Sequence, residues 1–125
     1  MDMRKVGVLG AVFALLGVAL GAFGAHGLRG ILTANELATF ETGVRYQMYH
    51  ALALLLVSLR LRTAPTALNV LAAWAFTAGI VVFSGSLYTL VLAGQPWMGA
   101  VTPIGGVAFL VGWLALGLGF LKEAS

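Results

Sequence analysis

The sequence contains no cysteine among its 125 residues. That absence excludes disulfide bonds, thiol catalysis, cysteine-ligated zinc, iron–sulfur clusters and the attachment of c-type haem. The sequence also lacks the His-x-x-x-His and Glu-x-x-His patterns with which helices hold metal ions. We therefore expect neither a metal ion nor another cofactor, while the redox compartment of the protein is left open by the sequence.

Charge is scarce as well. Only 9% of the residues are Asp, Glu, Lys or Arg, and the net charge of +3 rests on seven dispersed basic residues. A nucleic-acid-binding domain concentrates many more cations on one face. The composition thus excludes nucleic acid as a partner.

Apolar residues dominate what is present. They make up 61% of the chain, and the mean hydropathy is +1.02, which is far above the level of soluble domains and typical of a polytopic membrane protein. At about 20 residues per span, the chain has room for four helices with short connections. The predicted fold is therefore all-α, a bundle of four transmembrane helices in a single domain, residues 1–125. The helices are predicted at residues 5–26, 43–61, 67–93 and 102–121.

The first apolar run follows two basic residues and ends in small residues, a layout that also fits a cleaved signal peptide. The run is longer than the core of a signal peptide, which favours a membrane helix. Its glycines recur at intervals of three, four and seven residues, and such a smooth face lets another helix approach closely. The glycines predicted to pack helices together are Gly10, Gly17, Gly21, Gly24, Gly105 and Gly106.

Residues 28–42 connect the first two helices. Thr33 and Glu36 have the spacing of a capping box, which marks a helix start. A single helix from there to Arg60 would be about 40 Å long, too long for an upright span. We therefore expect a bend near Gly43 and a short amphipathic segment, residues 28–42, lying in the membrane interface.

The second helix is unusual because ionisable residues enter its apolar length. If Arg60 lies at one membrane surface, His50 is about 15 Å and Arg45 about 22 Å away from that surface along the helix. Ionisable side chains at such depths usually face protein or trapped water. The stretch Phe40–Leu61 is therefore the first place to look for a functional site.

The basic residues also indicate an orientation. With four spans, both termini and the turn after helix 2 share one side, and cytoplasmic loops carry the excess of Lys and Arg. Five of the seven basic residues lie on that side, which predicts that both termini are cytoplasmic. These five are Arg4, Lys5, Arg60, Arg62 and Lys122, whereas Arg29 and Arg45 lie on the other side.

Polar residues of three helices fall at similar depths near the outer surface and predict an outward-facing polar pocket. Glu41 and Arg45 are spaced for a helical ion pair, and Tyr46 and His50 are spaced for a hydrogen bond. The same residues could instead form a self-satisfied network that only fixes helix packing. The candidate ligand-binding residues are His26, Glu41, Arg45, Tyr46, Tyr49, His50, Ser84, Ser86 and Tyr88.

Four separated motifs also match a known pattern: residues 21–27 (GAFGAHG), 40–50 (FETGVRYQMYH), 83–88 (FSGSLY) and 102–106 (TPIGG). In their order and spacing the chain resembles domain-of-unknown-function family 423. These are small integral membrane proteins, YwdK- and YgdD-like in bacteria, with vertebrate transmembrane protein 256 as a distant relative. The resemblance implies a four-helix protein of the bacterial inner membrane and supplies no established activity. The resemblance also implies that eight residues occupy positions of the family motifs, and it does not assign their roles. These residues are His26, Tyr46, His50, Ser84, Ser86, Tyr88, Thr102 and Pro103.

Three functions compete. The protein could bind a small molecule or lipid in the polar pocket, with membrane lipids as partners and transport requiring a homo-oligomer or a membrane-protein partner. Alternatively, it could be a structural or assembly protein. An enzyme, or a haem or metal protein using His26 and His50, is least favoured, because the depths of these histidines differ by about 16 Å, too much to share one iron.

Overall fold

The computed structural model describes residues 1–123, and within that range every regular element is helical. A π-helical turn, Ile80–Ser84, joins the helix Ala67–Gly79 to the helix Gly85–Leu92, so that the two form one continuous stretch, Ala67–Leu92. Residues 1–123 therefore form four long helices, and the predicted all-α architecture is confirmed. The elements are α1 (Met3–His26), α2 (Ala34–Thr63), α3 (Ala67–Gly79), α4 (Gly85–Leu92), a 3₁₀ turn (Pro96–Ala100) and α5 (Thr102–Glu123).

Side-chain caps fix three of the helix starts. The Asp2 carboxylate accepts a hydrogen bond of 2.9 Å from the Lys5 backbone N–H, and this bond lowers the pKa of Asp2. The predicted capping box is confirmed, since Thr33 and Glu36 each accept a hydrogen bond from the other's backbone N–H, at 3.1 and 2.9 Å. At the start of α3, the Thr66 hydroxyl accepts a hydrogen bond from a backbone N–H one turn later.

α2 differs from the prediction at Gly43. The helix is continuous from Ala34 to Thr63, so residues 34–42 extend it and no break occurs at the expected bend. A Cβ on Gly43 would lie 2.8 Å from the Tyr88 ring. This glycine therefore makes room for a neighbouring helix and does not interrupt its own.

Within residues 1–123, length and composition qualify three helical stretches to cross a membrane: Met3–His26, Ala67–Leu92 and Pro96–Glu123. α2 falls outside this group because charged and polar residues are distributed along it. Its burial explains the difference. α2 contacts α1, α3 and α4, and it contributes much of the buried core, including Leu54 and Val57, which are fully shielded from solvent.

α1 packs on α2 through its glycines, with the two helices antiparallel. A Cβ on Gly10 would lie 2.9 Å from the Ala51 carbonyl oxygen, and one on Gly21 would lie 3.3 Å from Val44. Gly17 and Gly24 are buried against the side chains of Met48 and Phe40. Adding a methyl group along this seam would push the helices apart, so the glycines determine how closely α1 approaches α2.

α5 packs against the α3–α4 stretch in the same manner. Gly112 lies under the Phe76 ring, and a Cβ there would come within 2.6 Å of it. A Cβ on Gly105 would come within 2.7 Å of the Phe83 Cα, whereas Gly106 has only the Phe83 ring at 4.0 Å. Gly105 is thus the point of closest backbone approach, and it abuts the π-helical turn.

A polar cluster closes the bundle at the end opposite His26. Arg60 forms an ion pair with Glu123, and its guanidinium carbon lies 3.9 Å from the centre of the Phe120 ring. Asn69, which is fully buried, donates a 2.8 Å hydrogen bond to the Ala64 carbonyl oxygen. These contacts join α2, α3 and α5 at one end.

Candidate functional site

The face of α2 that enters the bundle is a stripe of residues spaced alternately three and four apart. This spacing places the residues along one side of a helix. It is a different side from the one that carries the charged residues, so the polar residues predicted on α2 are divided between the interior and the outer surface. The stripe consists of Phe40, Gly43, Gln47, His50, Leu54, Val57 and Leu61, all buried.

Gln47 is the centre of the buried polar network. Its side-chain amide donates a 2.8 Å hydrogen bond to the Phe13 carbonyl oxygen of α1, and its carbonyl oxygen accepts a 2.7 Å bond from the Tyr88 hydroxyl of α4. Only 3% of Gln47 is exposed. One side chain of α2 therefore links two other helices.

Two serines on either side of the π-turn boundary extend the network. The Ser84 hydroxyl donates a 2.6 Å hydrogen bond to the Gly43 carbonyl oxygen. The Ser86 hydroxyl lies 2.6 Å from the Thr102 hydroxyl and donates to the Phe83 carbonyl oxygen at 2.8 Å. Both serines are 1% exposed. Ser84 connects the π-helical turn to α2, and Ser86 connects α4 to the start of α5.

His50 has a partner for each ring nitrogen. Nδ1 lies 2.7 Å from the Tyr46 carbonyl oxygen, and Nε2 lies 3.0 Å from the indole nitrogen of Trp113. Because the indole can only donate, Nε2 is the acceptor and the proton resides on Nδ1. The ring also stacks on Phe109, with centroids 3.5 Å apart and planes 8° apart. The imidazole is thus held as a neutral link between α2 and α5.

The tyrosines of α2 behave differently from the buried polar residues. Tyr46 is 37% and Tyr49 is 52% exposed. The Tyr46 ring packs against Phe83 at 4.8 Å and lies 6.1 Å from the His50 ring. The expected hydrogen bond between Tyr46 and His50 runs to the Tyr46 backbone carbonyl and not to its hydroxyl.

Glu41 and Arg45 do not meet. Both are exposed, and within residues 1–123 the ion pair that the structure shows is Arg60–Glu123. The predicted Glu41–Arg45 ion pair is therefore wrong, because helical spacing permits such a pair on an exposed face but adds little stability. Both side chains line a shallow cavity of about 330 Å³, the α1–α2 surface groove, together with Gly21, Phe40, Val44, Met48 and Tyr49.

His26 is exposed at the last residue of α1 and lines neither that cavity nor the larger one described next. The predicted residues therefore do not share one site. His50, Ser84, Ser86 and Tyr88 join the buried network. Glu41, Arg45 and Tyr49 line the α1–α2 surface groove, while His26 stands apart and Tyr46 covers the network from outside.

A larger cavity of about 570 Å³ separates α1 from the α3–α4 stretch. We call it the lateral groove. Its walls are mainly apolar side chains, and Gln47, Ser84 and Tyr88 form a polar strip within it. The remaining lining residues are Phe13, Leu16, Ala19, Leu20, Phe23, Ile80, Val81 and Gly85.

Sequence reasoning missed Gln47 and Trp113, although both hold the network together. The stripe spacing from Phe40 to Leu61 was the available signal for Gln47. Trp113 offered no local signal, because its partner His50 is 63 positions away along the chain. Among the described residues, no group of three or more His, Asp or Glu side chains is arranged to hold a metal ion.

Comparisons with known proteins identify the family of this chain. Residues 20–106 match the family described as "Protein of unknown function (DUF423)". The UPF0382 membrane protein of Staphylococcus aureus strain bovine RF122 is 48% identical over 123 residues, covering 98% of this chain and 99% of its own. The UPF0382 membrane protein YwdK of Bacillus subtilis is 47% identical over 121 residues, covering 96% and 98%. No solved structure matches. The chain is a small helical membrane protein that belongs to the DUF423 family.

Proposed function

We propose that this protein binds a neutral membrane lipid in the lateral groove, with the apolar chain along α1 and a hydrogen-bonding group at the polar strip. The observation that carries the proposal is the combination of about 570 Å³ of space, apolar walls and three polar side chains in one place. Ligand cavities of roughly 300–1,000 Å³ with few polar groups are usual for small molecules.

The position of the groove supports a ligand that arrives from the bilayer. α1 packs chiefly on α2, and its groove-facing residues Leu16 and Phe23 are about half exposed. In a membrane such residues face lipid. A hydrophobic molecule can therefore enter sideways, without a water-filled path through the bundle.

The polar strip has hydrogen-bonding capacity to spare. The Gln47 amide nitrogen carries two protons, and one is used by Phe13. The Tyr88 oxygen donates to Gln47 and can still accept a hydrogen bond. A hydroxyl or carbonyl group on the ligand can thus be bound without breaking the network. None of the described residues that line the groove is charged, which favours a neutral ligand.

The π-helical turn lies at the same place. Ile80 and Ser84, its first and last residues, both line the groove. Gly85 follows, and a Cβ on it would meet nothing within 4 Å. Single π-turns are frequent at functional sites, since they reposition side chains within a helix. Here the turn brings Ser84 to the Gly43 carbonyl and leaves open space above Gly85.

The test is to fill the groove. Gly85→Leu places a side chain in that space, and Gly117→Leu is the matched control, because Gly117 also has nothing within 4 Å and lies on α5 away from the groove. A photoactivatable diacylglycerol should label the wild type and Gly117→Leu equally. Labelling of Gly85→Leu should fall about tenfold, a loss of about 1.4 kcal/mol in binding. Equal labelling of all three proteins would refute the proposal.

A second function is favoured by a different observation. Within residues 1–123, the buried side-chain polar atoms that lack a partner belong to Arg60 and Asn69, and none belongs to the network around Gln47 and His50. A network whose atoms are all paired suits a scaffold that fixes helix packing in a larger membrane assembly. If the scaffold reading is correct, Gly85→Leu should leave function intact, whereas substitutions within the network should abolish it.

The proposed orientation has four spans and both termini in the cytoplasm. It rests on the five-to-two distribution of basic residues and on counting α2 as a span. Reporter fusions after the last residue and within residues 94–99 should report opposite sides of the membrane. If both fusions report the same side, the number of spans is not four.

A further inference from the structure

We propose that the α1–α2 surface groove binds the headgroup of an amine-bearing zwitterionic phospholipid, with Arg45 on the phosphate and Glu41 on the amine. This site is separate from the lateral groove, since the two cavities share no lining residue. It therefore does not depend on the function proposed above.

The charges of the groove are available. The side chains of Arg45 and Glu41 are both exposed, and neither side chain makes a hydrogen bond or an ion pair with any residue in the described range 1–123. At the opposite end of the same helix, by contrast, Arg60 is paired with Glu123.

With α2 counted as a span, as proposed above, the depth of Arg45 favours a lipid partner. It lies 15 positions from Arg60, a distance of about 22 Å along the helix, and so remains within or at the edge of a hydrocarbon layer about 30 Å thick. An arginine on the lipid-facing side at that depth extends its side chain to the headgroups and pairs with an anion there. The phosphate group is the anion that membrane lipids supply, and the guanidinium fork can hold two of its oxygens.

Glu41 adds selectivity for the rest of the headgroup. It lies one helical turn, about 6 Å, farther from Arg60 than Arg45 does. In phosphatidylethanolamine the amine is joined to the phosphate by an ethylene link and can lie outward of it, facing Glu41. Phosphatidylglycerol carries no cation at this point, so its net negative charge is opposed by the Glu41 carboxylate. The apolar residues Val44 and Met48, which also line the groove, suit the adjoining acyl chains.

The experiment compares retained lipids by native mass spectrometry after reconstitution in equal amounts of phosphatidylethanolamine and phosphatidylglycerol. The wild type should retain phosphatidylethanolamine in preference. Arg45→Gln should reduce that retention about tenfold, which corresponds to the loss of one hydrogen bond to a charged group. Glu41→Gln should instead shift the preference towards phosphatidylglycerol. Arg29→Gln is the matched control, because it removes an exposed cation outside the groove and should change neither lipid.

Two results would overturn the proposal. One is a wild type that retains both lipids equally or prefers phosphatidylglycerol. The other is an Arg45→Gln effect no larger than that of Arg29→Gln. Arg45→Lys guards against loss of folding as an explanation, since it keeps the charge without the planar fork and should retain part of the phosphatidylethanolamine.

Discussion

The hydrogen bond between Tyr88 and Gln47 should contribute measurably to the stability of the bundle. Tyr88→Phe removes one hydroxyl and leaves the ring in place. The side-chain oxygen of Gln47 then loses its hydrogen bond of 2.7 Å from the Tyr88 hydroxyl. Gln47 is only 3% exposed, so water does not replace that bond. In water-soluble proteins an unpaired buried acceptor costs about 1–3 kcal/mol. Hydrogen bonds between membrane helices average about 0.6 kcal/mol and reach about 1.7 kcal/mol, so we expect a loss near 1 kcal/mol.

A double-mutant cycle isolates the interaction. Gln47→Met removes the amide from a side chain of similar length, and the Phe13 carbonyl oxygen that it bonded lies within α1 and keeps its own helical partner. If the two side chains interact as the structure shows, the double variant should be more stable than the sum of the single losses by about 1 kcal/mol. Unfolding in mixed micelles with increasing dodecyl sulfate provides the free energies.

Tyr46→Phe is the control for this cycle. Like Tyr88→Phe, it removes one tyrosine hydroxyl. Tyr46, however, is 37% exposed, and its hydroxyl makes no hydrogen bond within residues 1–123. It should change the free energy of unfolding little. If Tyr88→Phe behaves like Tyr46→Phe, or if the cycle is additive, the bond between Tyr88 and Gln47 does not stabilise the bundle.

Three further changes test other parts of the structure. Gly105→Ala should destabilise the bundle by about 1–3 kcal/mol, because the alanine Cβ would come within 2.7 Å of the Phe83 Cα. Gly117→Ala is the control in the same helix. Its Cβ would meet nothing within 4 Å, so it should be neutral or slightly stabilising in the same unfolding assay. His50→Leu should lower the free energy of unfolding by about 1–3 kcal/mol, because it leaves the Trp113 indole N–H unpaired. His50→Gln should keep most of the stability. Equal losses of stability in the two variants would mean that the hydrogen bond to the indole is unimportant. Glu123→Ala should lower stability by about 1 kcal/mol or less, since the Glu123 side chain is 48% exposed. If the stability of this variant responds to salt as that of the wild type does, the result argues against the ion pair.

Hydropathy and capping made the helices predictable. The capping box at Thr33 and the apolar runs are local properties of the chain, so the sequence alone identified an all-helical membrane protein. The π-turn Ile80–Ser84 was not predictable in this way. Its sequence, IVVFS, is compatible with an ordinary helix, and the turn is accompanied by tertiary contacts: the Ser84 bond to Gly43 and the close approach of Gly105 to Phe83.

The site was only partly predictable, because spacing indicates which residues can meet and not which partners they have. Glu41 and Arg45 satisfy the spacing rule but lie on the outer face, where pairing adds little. Gln47 has no charged or aromatic character to draw attention, yet it occupies the interior stripe. The same contrast applies to Gly43, which was expected to bend its helix but instead accommodates the Tyr88 ring.

α2 is the helix least able to enter a membrane by its own composition, and it is also the one around which the others assemble. These two properties have one explanation. In hydrocarbon a buried polar group needs a partner from the protein, and α2 obtains its partners from α1 at Phe13, from α4 at Tyr88 and from α5 at Trp113. The polar residues that weaken α2 as an isolated span thereby determine which helices surround it. Glu41 and Arg45 lie outside this arrangement on the exposed face, where the proposed phospholipid headgroup would supply their partners.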